Sequence, residues 1–470
     1  MKKKFGAILM AGLMACTMTA GIVFSTGCGS DVAGDFVMPE GGFDTQKKIE
    51  ITFYHTMGKN LRGVLNKYIA DFNKLYPNIT IKDEAIGKYD DVFNQISTEI
   101  TVGDQPNVAY CYPDHVAFYN QAGVVQTVDA FLPGSPYADM KVTRADNTED
   151  YYCITQEEKD NFIDIYYNEG ATFGDDQMYV MPFSKSIEVL YYNKTYFEEH
   201  NITVPNTWDE MEQVCKTLKE LDPACTPLGY DSEANWFITM CEQHESPYTS
   251  VSGEHFLFDN ATNRAFVEKF KGWYKNGYVT TQEISGAYTS NLFKEKKSYM
   301  SIGSSAGAAN QVPAVVNGVA PFEVGIARIP QVNTEKPKVI SQGPSVCIFK
   351  KNDPQEVLAS WLFVKYLTTS VKFQAQFSSV SGYVPVLNSV LQDETYADLL
   401  NGANGYADGI AYLSAKACLD MANAGNLFVS PAFNGSSKAR TQVGILMQSA
   451  FLESKTIDEA FKKAIEECRY

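Results

Sequence analysis

The stretch "MYVMPFSKSIEVLYYNKTYFEEHNITVPNTWDEM", Met178 to Met211, decides how the rest of the chain is read. An apolar run stops at Pro182-Phe183 and passes through polar Ser184-Lys185-Ser186. It resumes as a Tyr-rich run and then enters a helix. Thr207 and Glu210 form the capping box that opens this helix. A buried strand broken in this way marks a point where the chain changes place.

Upstream of the break, strand and helix alternate. In "KKIEITFYHTMG", Ile49, Ile51 and Phe53 follow the period of a strand. In the next segment Leu61, Leu65, Ile69 and Phe72 recur at helical spacing, until Pro77-Asn78 stops the helix. "ITIKDEAI" predicts a second strand, "DDVFNQISTEITVGD" a second helix and "PNVAYCY" a third strand. The pattern predicts an α/β lobe with a largely parallel sheet, whose ligands sit in loops beyond the carboxyl ends of strands. "YHTMG", "GKYDD" and "CYPDH" then share one rim. Downstream of Met211 the chain reads as mostly helical. Phe266, Phe270 and Trp273 line one helix face, and Asn276-Gly277 ends that helix. "SYMSIG", "FEVGIARIP" and "SVCIF" are strand-like, and "EVLASWLFVKYLTTSV" is apolar nearly all round, as in a buried helix. Thr456 and Glu459 repeat the capping box in the last helix.

With 470 residues the chain exceeds the ~250–300 that one core accommodates, so two lobes are expected. The net charge is −17, and without the first 27 residues, which hold three lysines and no acid, it is −20. Such a surface repels nucleic acid and anionic headgroups, which excludes polyanion partners. The N-terminus has a basic Lys2-Lys3-Lys4 start and the apolar segment "FGAILMAGLMACTMTAGIVF", which is an export signal. Residues 1–27 are read as this signal. Thr26-Gly27-Cys28 resembles a bacterial lipobox, with Cys28 as the lipidated residue and "LMAC" at Cys16 as the alternative. Residues 28–45 read as a flexible tether. No later segment is long and apolar enough to span a bilayer, so membrane contact is expected through the lipid anchor alone. The other eight cysteines form no CxxC pair, so zinc and redox motifs are absent; Cys215 and Cys225 are close enough in sequence to pair or to remain free.

Nine segments taken in order carry a resemblance: the opening stretch, "ITFYHTMG", "FNKLYPNITI", "GKYDDVFNQI", "GDQPNVAYCY", "LFKEKKSYMSIGSSAGAAN", "GIARIP", "GPSVCIF" and "SGYVPV". Together they resemble the extracellular solute-binding proteins of the sugar-import ABC family, most closely its glycerol-phosphate-binding branch. The resemblance implies a fold of two α/β lobes around a ligand cleft, joined by several chain crossings. On that pattern residues 46–182 plus 304–342 make the N-terminal lobe, and 183–303 plus 343–470 the C-terminal lobe. It implies a monomeric lipoprotein on the outer face of the cytoplasmic membrane, without cofactor or metal. Such a receptor captures a small carbohydrate-like solute and delivers it to ABC permease subunits.

The resemblance also nominates residues. Tyr89 falls where the family has a ligand-binding tyrosine. Asp114 matches a family carboxylate with a one-residue shift, and a helix-capping role is its alternative. Of Tyr110 and Tyr112, one is expected to pack and the other to face a sugar. Ser186 matches a hydroxyl donor. Trp236 matches an aromatic that stacks on ligand C–H bonds. Ser304 and Ser305 match a Ser-Ser pair at a helix start. Gly343 matches a site of close backbone approach, and Tyr383 in "SGYVP" a binding tyrosine. Phe433 stands where the glycerol-phosphate branch has a phosphate-holding arginine, which points to a neutral saccharide; Arg440 or Lys185 would be the substitute cation. Two rivals remain. A surface glycoside hydrolase needs two carboxylates flanking a bond, and no pair is placed on facing elements. A receptor signalling to a membrane sensor would share the binding site.

Overall fold

A computed structural model describes residues 35–400 and 409–469. The expected signal segment, Cys16 and Cys28 lie outside the described residues. Two sheets organise the rest. The first runs Ile79–Ala85, Ile49–His55, Val108–Cys111, Ser345–Phe349, Val125–Gln126, with Val180–Pro182 also paired to Ser345–Phe349. Its first three strands are parallel, as the sequence pattern predicts. Ser345–Phe349 is antiparallel to all three of its neighbours, so the sheet is mixed and not largely parallel. Helix Lys59–Leu75 turns Leu65, Tyr68, Ile69 and Phe72 inward. Helix Pro354–Thr368 is buried on nearly every side, as its unbroken apolar run requires.

The second sheet runs Val279–Thr281, Leu228–Tyr230, Met300–Ser304, Ser186–Asn193, Val339–Gln342, Leu427–Phe428, with Val324–Arg328 also paired to Ser186–Asn193. The lobe after Met211 therefore holds a full sheet under its helices. Its middle strand, Ser186–Asn193, is buried at seven of eight positions, which accounts for the Tyr-rich run. The Thr207 and Thr456 capping boxes both form. Trp208, Trp236, Phe270 and Trp273 pack together, edge-on or tilted, in the core of this lobe.

The break at Pro182-Phe183 is a crossing: Val180–Pro182 belongs to the first sheet and Ser186–Asn193 to the second. Residues 343–344 cross back, since Val339–Gln342 pairs in the second sheet and Ser345–Phe349 in the first. The segment 382–386 runs alongside them. Phe183 N and Ser184 N both donate to Pro344 O at 3.2 Å, and Lys185 N donates to Val384 O at 3.1 Å.

These pairings correct the expected lobe boundaries. The strands within 304–342 pair in the second sheet, and 345–349 completes the first, the reverse of the expected assignment. The reason is non-local: strand membership is set by partners more than a hundred residues away, which periodicity does not report. The tether is also shorter than expected. Phe43 is buried, and Tyr152 Oη accepts from Phe43 N at 2.6 Å. Phe36 packs against Phe131 with ring centroids 4.9 Å apart. Residues 36–43 thus lie on the first lobe. Cys215 and Cys225 are both buried free thiols.

Candidate functional site

The crossings floor a cleft with two adjoining chambers. The larger, about 540 Å³, collects Tyr89, Tyr112, Ser186, Ser304, Gly343 and Tyr383. The smaller, about 90 Å³, is lined by Asp114, Ser341, Ser430 and Arg440 among others, and shares Tyr112 and Gln342 with the first. Among the described residues, no helix is long and apolar enough to cross a membrane, and no group of side chains has the makings of a metal site.

Each wall of the larger chamber has a local cause. Tyr89 is the first residue of helix Tyr89–Ile100, which places its ring on the rim beyond the strand ends. Its ring lies 4.6 Å from that of Tyr112, and its hydroxyl lies 3.4 Å from the Tyr383 hydroxyl. Burial pushes the Tyr89, Tyr112 and Tyr383 phenols up, so all three stay neutral and present a face and a hydroxyl. Opposite them, Ser304 Oγ donates to Ser186 Oγ at 3.1 Å and accepts from Ala306 N at 3.2 Å. Tyr110 packs against Phe183 at 4.9 Å, leaving Tyr112 as the one that faces the cleft.

Two nominated residues lie outside both chambers, and a third lines one under an added constraint. Trp236 is fully buried in the second lobe, stacked on Tyr230 at 4.7 Å and packed on Phe270 at 4.3 Å, out of reach of the cleft. Ser305 is also fully buried; its Oγ accepts from Ile187 N at 3.2 Å and its carbonyl accepts from Ser414 Oγ at 3.0 Å. It joins a strand to a helix and lines neither chamber. Gly343 does line the chamber, but a different contact demands glycine there. Its φ is +98°, and a Cβ would meet Ser184 O at 2.5 Å. The constraint is the neighbouring crossing.

The two substitute cations separate clearly. Lys185 is fully buried and paired with Glu169; its Nζ also donates to Ser345 Oγ at 3.0 Å and Gly343 O at 3.3 Å. It fastens the crossings and is spent. Arg440 lines the smaller chamber, and its hydrogen-bond partner is the neutral Asn235 Oδ1. Asn235 Nδ2 in turn donates to Glu188 Oε1 at 2.9 Å, and burial pushes the Glu188 carboxyl up to about 7. Phe433 lines neither chamber. It is buried, with its ring stacked on His255 at 4.8 Å and near Phe256. Phe433 therefore says nothing about the charge of the ligand.

Sequence reasoning missed Asp231, Tyr288 and Gln342. Asp231 follows directly on strand Leu228–Tyr230, the strand-end position that favours ligands. Thr289 N and Oγ1 both donate to Asp231 Oδ1 at 2.8 Å, and burial raises its pKa. The signal was present as an acid at a strand's carboxyl end. Tyr288 and Gln342 carried no local signal.

A cleft of this kind, between two α/β lobes joined by short bonded crossings, is that of a two-lobe binding protein, which holds a solute and does not transform it. The chain belongs to the bacterial extracellular solute-binding proteins, whose family profile matches residues 67–401. It is 25% identical over 222 residues to a multiple sugar-binding protein of Streptococcus mutans, a match that covers 47% of this chain and 43% of that one. It is 23% identical over 357 residues to an sn-glycerol-3-phosphate-binding periplasmic protein of Agrobacterium fabrum, covering 72% of this chain and 74% of that one. The fold is shared with an ABC substrate-binding protein of Listeria monocytogenes solved in complex with cycloalternan. There the TM-score is 0.70 at 17% identity, over 90% of this chain and 98% of that one. The chain is a binding protein and not an enzyme.

Proposed function

We propose that this protein captures a carbohydrate solute in the larger chamber and delivers it to the membrane subunits of an ABC importer. The reading rests on one observation. Tyr89, Tyr112 and Tyr383 surround a space floored by the Ser186 and Ser304 hydroxyls, at the junction of the two lobes. Flat neutral rings bury the apolar face of a sugar, and hydroxyls at its edge meet the sugar's own. Family membership and the sugar-binding relative support the same reading. Closure about a hinge is the general motion of periplasmic binding proteins, and the paired crossings at 183–185 and 343–344 are the hinge. Differing affinities of the open and closed states then make ligand binding the signal that the permease reads.

Calorimetry on the purified chain tests this. Tyr383→Ala removes one aromatic face, which costs ~1–2 kcal/mol, about a 5- to 30-fold rise in Kd. The melting temperature of the empty protein should hardly move. Unchanged affinity for the best saccharide, or steady product formation on incubation with it, overturns the reading.

In this proposal the protein acts as a monomer on the outer face of the cytoplasmic membrane, held through lipid on Cys28. Two or more acyl chains hold a protein stably where one is marginal. Cys28→Ser should therefore release the protein into the medium. Retention of that variant, with release by Cys16→Ser instead, moves the anchor to Cys16.

A further inference from the structure

The smaller chamber is built differently from the larger one. Ser341 Oγ, Tyr248 Oη, Gln342 Nε2 and Ser430 Oγ all line it, and all are buried with no hydrogen-bond partner among the described residues. Ser341 is only 7% exposed. An unmet buried polar group is costly, so four gathered around one small space mark it as a place for a polar guest. Beside them stands the Arg440 guanidinium, bonded to neutral Asn235. Arg440 lies one turn into helix Ser436–Phe451, on the same face as Ser436. That helix starts at the chamber, and its N-terminus has no side-chain cap. Its first-turn N–H groups and dipole add to the positive potential.

Charge and size narrow the guest. Arg440 and Gln342 Nε2 can only donate, and the three hydroxyls are free to. Two carboxylates face the same space. Glu169 is neutralised by Lys185 behind it. Asp114 remains, accepting from His115 N at 3.1 Å. Burial lowers the pKa of His115, which keeps it neutral. Glu188 lies behind Asn235. Arg440 thus offers the guest a cation not paired with an acid, while Asp114 penalises each further negative charge, so a singly charged anion is favoured over a doubly charged one. At about 90 Å³ the chamber is too small for a ring, since a cavity that takes benzene measures about 150 Å³. It has room for a compact group on a ring held next door.

We propose that the solute is an acidic saccharide, whose ring lies among the tyrosines and whose carboxylate enters the smaller chamber against Arg440. This rests on the carbohydrate reading above and adds the charge of the ligand to it. Arginine suits the guest because its planar fork meets a carboxylate with two parallel bonds.

The test compares uronic-acid mono- and disaccharides with their neutral counterparts and with sn-glycerol 3-phosphate, by calorimetry on the purified mature chain. The wild type should prefer the uronate over its neutral counterpart by about 10- to 100-fold, the effect of charge-assisted hydrogen bonds. That ratio should fall towards one in Arg440→Gln, and by a smaller factor in Ser430→Ala. Raising salt should reduce the ratio in the wild type. Equal or better binding of neutral sugars overturns the proposal while leaving carbohydrate capture intact. So does a uronate preference that survives Arg440→Gln in folded protein. Tighter binding of glycerol phosphate than of any uronate reassigns the chamber to a doubly charged group and also overturns it. If no saccharide of either charge binds, the carbohydrate reading fails together with it.

Discussion

Lys185→Met should lower the free energy of unfolding by about 3–5 kcal/mol, the usual cost of removing one partner of a buried ion pair. Lys185 and Glu169 lie where water cannot compensate a lone charge, with Lys185 fully buried and Glu169 6% exposed. Methionine keeps most of the side-chain volume, so the loss is electrostatic and not a matter of packing. Glu169 would face Ser345 Oγ at 3.5 Å as its remaining donor. Adding Glu169→Gln should restore most of the loss, because the orphaned charge is then gone. Equilibrium denaturation of the wild type and the two variants reads both effects. A Lys185→Met protein as stable as wild type would mean that the pair is solvated, and that Lys185 is free to meet a ligand after all.

Trp236→Ala should be of similar size, about 3–5 kcal/mol, as for other large aromatics removed from a core. The side chain is closed in by Tyr230, Phe270, Trp208 and Phe451, and no collapse of these rings fills so large a void. The effect belongs to the empty protein. The family resemblance implies the opposite, a loss of ligand with the fold untouched. The two outcomes are told apart by one denaturation curve and one titration. A Trp236→Ala protein that unfolds like wild type but binds its solute weakly would return the tryptophan to the cleft.

What the sequence discloses and what it hides divide along the range of the interactions. Capping boxes are complete within four residues, so Thr207 and Thr456 mark their helices without help from the fold. The crossing at Pro182 is legible because polar residues interrupt an apolar run. Tyr89, Ser186, Ser304 and Tyr383 are nominated by resemblance, and the fold gathers all four around one chamber. Asp114 reaches the smaller chamber beside it. Trp236 fails for a specific reason. Helix Glu233–Gln243 is buried on almost every side, so no stripe shows which residue points at the cleft. The fold turns Asn235 towards Glu188 and Arg440, and Trp236 inward. Arg440 becomes interesting only when strand Val339–Gln342 and the loop at Ser430 are brought to it, and sequence spacing does not predict that meeting.

The strand Ser345–Phe349 has a consequence for how the molecule is made. It sits inside the first sheet, between Val108–Cys111 and Val125–Gln126, and also holds Val180–Pro182. Until residue 349 has left the ribosome, those two short strands have no place to dock and the N-terminal lobe has no finished middle. A nascent chain therefore cannot complete this lobe until three quarters of its length has been made, so two distant parts of the sequence must meet before the sheet closes.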